Sequence, residues 1–232
     1  MVLKSVYLPD PATHNDLIDI SGEEHHHLVV SRAEPGEKIE VFDGQGQVWS
    51  CSVVSVGKRA TSLRVESFRM VPPPASQLIL GQALIRNAAF ELALEKTVEI
   101  GVTRIIPFVA ARSNVTSPRL DRSRRIIIEA AKQSKHFHVP PIEPAATFQQ
   151  VLGVPAASRI IFSERQGSSL KSSLIGPPVL YLIGPEGGWT DEEVELAKRA
   201  GFQTVSLGAG ILRSETAAIV GGALIRHELG DL

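Results

Sequence analysis

The sequence predicts an α/β protein in two parts, a small β-barrel followed by a parallel sheet covered by helices. Three observations carry this. The first seventy or so residues alternate apolar and polar side chains at strand spacing, as in Leu63 and Val65 against Arg64 and Glu66. The run Val71-Pro72-Pro73-Pro74 forbids helix and denies a sheet its donors, which places the boundary between domains at 1–71 and 75–232. Beyond it, strand and helix patterns take turns, the grammar of βα units.

The N-terminal residues 1–10 read as a first strand, since no sustained apolar stretch follows Lys4 and a secretory signal is therefore not expected. Ser21 followed by Glu24 has capping-box spacing and starts one short helix. Strands follow at 38–42, 48–56 and 62–68, with Asp43-Gly44-Gln45-Gly46 as the turn between the first two. After the prolines, strands are expected at 78–84, 104–110, 159–162, 179–183 and 204–207, and helices at 90–100 (capped by Asn87), 119–134, 191–200 and 214–229.

Composition bounds the function. Of 232 residues, 43% are hydrophobic and 21% charged, with no apolar run long enough to span a bilayer, so a soluble globular protein is expected. Cys51 stands alone, which excludes an internal disulfide and a multi-cysteine metal site and fits a reducing cytoplasm. His25-His26-His27 does not suit a metal either, because consecutive helical residues point in different directions; no metal is expected. The net charge of −1 hides an uneven distribution. Residues 119–138 hold six Lys or Arg against Asp121 and Glu129, whereas 186–195 hold Glu186, Asp191, Glu192, Glu193 and Glu195 with no base. His136 and His138, at the end of the basic stretch, are expected to face RNA or solvent.

In open parallel sheets ligands bind beyond the carboxyl ends of strands, and two loops there are glycine-rich. Tyr181-Leu182-Ile183-Gly184-Pro185-Glu186-Gly187-Gly188-Trp189 leads into a capping box of Thr190 and Glu193, and Ser206-Leu207-Gly208-Ala209-Gly210-Ile211-Leu212-Arg213-Ser214 leads into the last helix. A dinucleotide fingerprint from Gly208 needs glycine or alanine where Arg213 stands, and one from Gly184 needs glycine where Glu186 stands. No Gly-Lys-Ser/Thr follows either loop, so a P-loop is also excluded. Glu186 would repel phosphate and suits a cationic or neutral ligand.

The segments Ile183 to Trp189, Ser206-Leu207-Gly208 and Ile211-Leu212-Arg213-Ser214-Glu215-Thr216-Ala217 resemble the paired signature of the RsmE family. These SPOUT-class enzymes methylate N3 of a uridine in 16S ribosomal RNA using S-adenosylmethionine. Glu95-Lys96-Thr97-Val98-Glu99-Ile100-Gly101-Val102 resembles the family's K-x-x-E-L-G-V helix. His27-Leu28-Val29-Val30-Ser31-Arg32 and Val41-Phe42-Asp43-Gly44 resemble its N-terminal PUA-like barrel. The resemblance implies a trefoil-knotted C-terminal domain, a homodimer, and a bent cofactor on three strand ends. Those would be Phe162, Ser163 and Glu164; Leu182, Ile183, Gly184, Pro185, Glu186, Gly187 and Gly188; and Ser206, Leu207, Gly208, Ile211, Leu212 and Arg213 with Thr216 and Ala217. Gly221-Gly222 inside the last helix serves either close packing across a dimer or packing within the chain.

Methylating N3 requires removal of its proton and alignment of the resulting anion with the methyl group, and it requires no cysteine, so Cys51 is read as structural. Arg213 is expected to stabilise charge on the uracil oxygens or to hold the cofactor's carboxylate, and Glu186 or Glu215 to assist deprotonation. Expected RNA contacts are Lys4, Arg32, Arg122, Arg125, Lys132 and Gln133. Arg122, Arg125, Glu129 and Lys132 form a stripe that a solvated helix face explains equally well. Two departures from the family stand out. Its usual E-Q-S/C-G-R is Lys132-Gln133-Ser134-Lys135-His136 here, and Lys4 lies near its usual early arginine. A 2′-O-ribose methyltransferase of the same knotted class, acting on rRNA or tRNA, is the nearest alternative, although the Ser-Leu-Asn-Val-Ser motif usual there is replaced by Leu212-Arg213-Ser214-Glu215-Thr216. A non-catalytic RNA-binding factor of ribosome assembly is the alternative from another class.

Overall fold

The computed structural model describes residues 3–13, 15–164 and 167–232; Met1 and Val2, part of the expected first strand, lie outside them. Contacts divide the chain into two compact units, 1–73 with 131–139, and 74–130 with 140–232. The sequence pattern alone leaves 131–139 in the second domain.

The first unit contains β1 (Lys4–Tyr7), β2 (Leu17–Ser21), α1 (Gly22–Val30), β3 (Lys38–Phe42), β4 (Gln47–Val56) and β5 (Ala60–Met70). They form one sheet in the order β1-β3-β4-β5-β2, with β1 parallel to β3 and the other pairs antiparallel. Alternation along the strands puts Val6, Ile18, Ile20, Ile39, Val41 and Leu63 into a core, where Cys51 is fully buried and its thiol is pushed up to about 11, mainly by burial. Ser21 is the N-cap of α1, but its side chain makes no capping bond. The expected box does not form because the Glu24 carboxylate is taken by Lys132 Nζ, at 2.9 and 3.1 Å. In the β3–β4 turn, Asp43 Oδ1 accepts the N–H groups of Gln45 and Gln47. Gly46 has φ +97°, and a Cβ there would lie 2.4 Å from Val71 O and 2.6 Å from His138 Nε2. His138 is itself bonded to Val71 O at 2.9 Å, so one ring nitrogen is committed to this turn while the residue stays half-buried.

Residues 131–139 join this unit through Lys135. Its backbone is left-handed, φ +59°, a conformation costing a non-glycine residue about 1 kcal/mol. The side chain offsets that cost by donating to Leu3 O (2.6 Å), Ser5 Oγ (2.7 Å) and Glu40 Oε2 (2.8 Å). Arg69 bonds the other oxygen of Glu40 at 2.9 Å and lies over the Phe137 ring. Burial alone would raise the pKa of Glu40, but the bonds from Lys135 and Arg69 outweigh it and hold the carboxyl below its usual range.

The second unit holds β6 (Leu78–Ala83), α2 (Asn87–Glu99), β7 (Arg104–Val109), α3 (Leu120–Ser134, whose last four residues belong to the first unit), β8 (Ala146–Thr147), α4 (Phe148–Leu152), β9 (Ser158–Phe162), α5 (Leu170–Ser173), β10 (Val179–Ile183), α6 (Asp191–Arg199), β11 (Gln203–Val205) and α7 (Ser214–Leu229). The sheet is parallel throughout, ordered β11-β9-β10-β6-β7-β8. β6 and β10 are buried along their whole length, as central strands covered on both faces must be. Asn87 is the first residue of α2 and not its cap; the N-cap is Arg86, which makes no side-chain capping bond. α7 packs on α2, β10 and β6. Buried Arg226 ties the C-terminal turn down, donating to Ser76 O, Gly101 O and Asp231. No helix among the described residues is long and apolar enough to cross a membrane.

Lys135→Ala removes the ion pair and keeps the left-handed strain, so it is expected to destabilise the chain by about 2–3 kcal/mol in urea unfolding. Lys135→Gly relieves the strain and is expected to be milder by about 1 kcal/mol. Because the folded pKa of Glu40 lies below the unfolded value near 4.5, the Glu40 contribution is complete above that pH and is lost as the pH falls below it. The gap between wild type and Lys135→Ala should therefore shrink in unfolding curves taken below pH 4.

Candidate active site

The C-terminal ends of β9, β10 and β11 converge on one cavity of about 930 Å³, closed on its other side by the starts of α2 and α7. Phe162, Ser163 and Glu164 line it from β9, Ile183 to Trp189 from β10, and Ser206, Leu207 and 210–213 from the loop after β11. Three neighbouring parallel strands deliver three loops to the same edge, the arrangement in which an open sheet binds ligands.

Trp189 locks these loops together. Its Nε1 donates to Phe162 O at 2.8 Å, joining the β10 loop to the end of β9. The ring is stacked on Phe108 (centroids 6.0 Å apart, planes 6° apart) and touches Phe148, both in the core. The same ring lies against Gly184, where a Cβ would sit 2.9 Å from it. Gly221 and Gly222 have an equally local cause. A Cβ on Gly221 would come within 2.6 Å of the Phe162 ring, and one on Gly222 within 2.8 Å of Tyr181 Oη. Packing within the chain accounts for both glycines.

Hydrogen bonds complete the frame. Ser214 Oγ, at the start of α7, donates to Gly184 O at 2.6 Å and accepts from Gln82 Nε2 of β6 at 3.0 Å. The capping box of α6 forms as expected, and buried Glu193 does more than cap: its Oε1 also accepts the N–H of Ala111 at 2.8 Å. That fixes the neighbouring Arg112, whose Nη1 donates to Gly187 O at 2.8 Å. Glu186 Oε1 accepts from Arg86 through Nε at 3.2 Å and through its N–H at 3.4 Å.

Most residues expected at the site lie on the cavity wall, including Arg213, Glu186 and Glu215. Leu182 does not. Strand alternation turns it away from Ile183 into the core, against Gly81. Thr216 is rotated off the wall between Glu215 and Ala217, and Gly208 lies back from it in a turn held by Ser206 Oγ. Arg86, Arg112 and Gln82 were not anticipated. Arg86 follows a predicted strand and was legible by position; Arg112 and Gln82 act through contacts 75 and 132 residues away, which no local pattern reveals.

The residues expected to meet RNA divide. Arg122 is held by both carboxylate oxygens of Glu91, Lys132 by Glu24, and Lys4 by Glu37 and Ser31 O. Arg32, Arg125 and Gln133 are exposed, Arg32 with φ +52° at the end of α1.

A parallel sheet whose strand ends carry glycine loops, following a separate β-rich unit, defines the class. Residues 72–226 match the family described as RNA methyltransferase domain, and 20–66 that described as RNA methyltransferase PUA domain. Ribosomal RNA small subunit methyltransferase E of Rickettsia conorii is 30% identical, covering 97% of this chain and 96% of its own. The protein of that name from Bacillus subtilis is 32% identical over 90% and 89%. The Neisseria gonorrhoeae enzyme of that name, solved bound to S-adenosyl methionine, superposes with a TM-score of 0.90 at 30% identity, covering 97% and 98% of the two chains. A Legionella pneumophila structure in complex with bound SAM gives 0.91 at 28% identity over 98% of each. The chain belongs to the ribosomal RNA small subunit methyltransferase E family.

Trp189→Phe keeps the stacking but orphans the Phe162 carbonyl, and a loss of about 1–3 kcal/mol is expected. Gly221→Ala drives a methyl into the Phe162 ring at a similar cost. Thermal unfolding should show both with a Tm several degrees below wild type.

Proposed function

We propose that this chain transfers a methyl group from S-adenosylmethionine to N3 of one uridine in 16S ribosomal RNA, acting in the cytoplasm as a homodimer with a knotted site. The observation that carries it is the convergence of three strand ends, two of them bearing glycine loops, on one cavity in a chain of this family.

The residues present suit such a cofactor. The cavity volume falls in the range of roughly 300–1,000 Å³ usual for small-molecule sites. Gly210 on the wall, and Gly208 (φ +125°) behind it, leave open space where side chains would stand, so a flat group can approach the backbone. Glu164, Glu186 and Glu215 bring negative charge to the wall and complement a cation. The loops Phe162 to Glu164, Ile183 to Gly188 and Ser206 to Leu212, with Ala217, would hold it. When bound, it supplies an electrophilic methyl on a positively charged sulfur.

The protein's own part is to prepare the uracil. Glu215, in the first turn of α7, makes no side-chain hydrogen bond among the described residues, and in this reading its carboxylate takes the N3 proton. Arg213, exposed at the N-cap of the same helix, stabilises the anion on the two flanking carbonyl oxygens. Glu186, tethered to Arg86, fixes the loop and faces the cation. Alignment of the anion supplies several further kcal/mol, roughly, by orientation alone. Lys4, Arg32, Arg122, Arg125, Lys132 and Gln133 belong to the reading as RNA contacts, with Arg32, Arg125 and Gln133 the more exposed. Support for the knot comes from strand order: α7 follows edge strand β11 yet packs beyond β9, on β10, β6 and α2. Support for the dimer comes from exposed apolar groups on the same helices and the nearby loop, Leu92, Leu224 and Ile211.

Nucleoside mass spectrometry of ribosomal RNA from a strain lacking the gene should show the loss of one N3-methyluridine; an unchanged map would sink the assignment. In transfer assays with radiolabelled cofactor, Arg213→Ala should lose about 100-fold or more in turnover. Near-normal turnover by the folded variant would remove Arg213 from the chemistry.

A further inference from the structure

The loop at the heart of the cavity is gripped from two sides by arginines that the chemistry above does not use. Arg86 reaches Glu186, and Arg112 reaches the carbonyl of the next residue, Gly187. Each guanidinium carries five N–H donors in a planar fork. Arg86 uses only its Nε toward Glu186, and Arg112 only Nη1 toward Gly187; their other guanidinium donors have no partner among the described residues. Both are exposed, the Arg86 side chain to 83%. Holding the loop therefore uses only part of what the two guanidinium groups offer.

We propose that Arg86 and Arg112 form a clamp for the phosphodiester backbone of the RNA beside the target nucleotide, building on the reading of the site as an RNA methyltransferase centre. Their geometry suits phosphate. The anchoring bond holds each fork in place before the ligand arrives, so less side-chain freedom is lost on binding. The anchors fall on consecutive residues, so both cations are tied to the loop that the reacting base must approach. Arg112 is further fixed by its neighbour: Glu193 holds Ala111, and the aliphatic stem of Arg112 lies flat on Gly187, where a Cβ would meet its own Cβ at 3.1 Å. Of the cations at the cavity, Arg213 on the wall is assigned to the chemistry, which leaves Arg86 on the wall and Arg112 at Gly187 for the strand. Both are positioning residues: they orient the strand and leave the methyl transfer to others.

The test uses the full chain, a 16S ribosomal RNA fragment containing the target uridine, and Arg86→Ala, Arg112→Ala, the double variant and Arg86→Lys. Each alanine should raise KM for RNA by about fivefold to tenfold with kcat nearly unchanged. The affinity of S-adenosylhomocysteine, by calorimetry, should stay within about twofold of wild type. The slope of log Kd for RNA against log salt should become shallower by about 0.7 for each phosphate that is no longer neutralised. Arg86→Lys should keep the slope while recovering only part of the affinity, since a point charge lacks the fork. Unchanged KM and salt slope in the double variant would overturn the clamp, as would a parallel loss of S-adenosylhomocysteine affinity, which would put the arginines in the cofactor site. If the wild-type chain transferred no methyl group, the enzymatic assignment would fall, and the salt slopes would still decide the clamp.

Discussion

The hydrogen bond from the Trp189 indole to the Phe162 carbonyl is the constraint around which the site is organised. The C-terminal ends of parallel strands leave carbonyls without ladder partners, and a buried one left unpaired costs about 1–3 kcal/mol. Trp189 satisfies this one with a donor from the neighbouring loop, and its ring is large enough to reach Phe108 and Phe148 at the same time. A single side chain therefore sets where the Gly184 to Gly188 loop leaves the sheet, how far β9 extends, and where the cavity floor lies.

That choice dictates the small residues around it. Gly184 lies under the indole, and Gly221 lies against the ring of Phe162, whose carbonyl the indole holds. Ser214 then ties α7 to Gly184, and Gln82 ties Ser214 to β6, so the last helix is registered on the loop it faces. Arg213 and Glu215 flank Ser214, so their positions on the wall follow from the same bond. The glycines within α7 cost about 1 kcal/mol each relative to alanine, and close approach to Phe162 and Tyr181 is what that cost obtains.

Features set by local pattern were legible in the sequence. The alternation of Leu63 and Val65 and the Thr190–Glu193 capping box depend on neighbours a few residues apart, and both correspond to structure. The same logic failed at Ser21 and Glu24, where the spacing was right but Lys132, more than a hundred residues away, competes for the carboxylate. β2, β8, α4 and α5 were missed for a related reason: short elements carry too little periodicity to stand out, although Thr147 and Gln150 do form a capping box. At the site, the glycine loops marked the place and Glu215 and Arg213 the wall. Leu182 falls off the cavity wall because a contiguous motif ignores the alternation that sends every second strand residue into the core.

The distribution of positive charge is where sequence and structure part furthest, and burial explains it. Six basic residues over 119–138 suggested one face for RNA. In the fold, Lys132 and Lys135 are each drawn to an acid of the first unit, Glu24 and Glu40, and Arg122 to Glu91. Lys135 shows how strong that pull is. It occupies a left-handed position that glycine would fill without strain, and it stays because three acceptors converge on its ammonium. A basic stretch is thus partly a set of fasteners, holding 131–139 to the sheet of the first unit. Charge available to a polyanion has to come from side chains whose partners leave donors over. A guanidinium meets that condition while still anchored and an ammonium surrounded by acceptors does not, which is why, among the described residues, the cations on the cavity wall are Arg86 and Arg213, with Arg112 bonded to the wall residue Gly187.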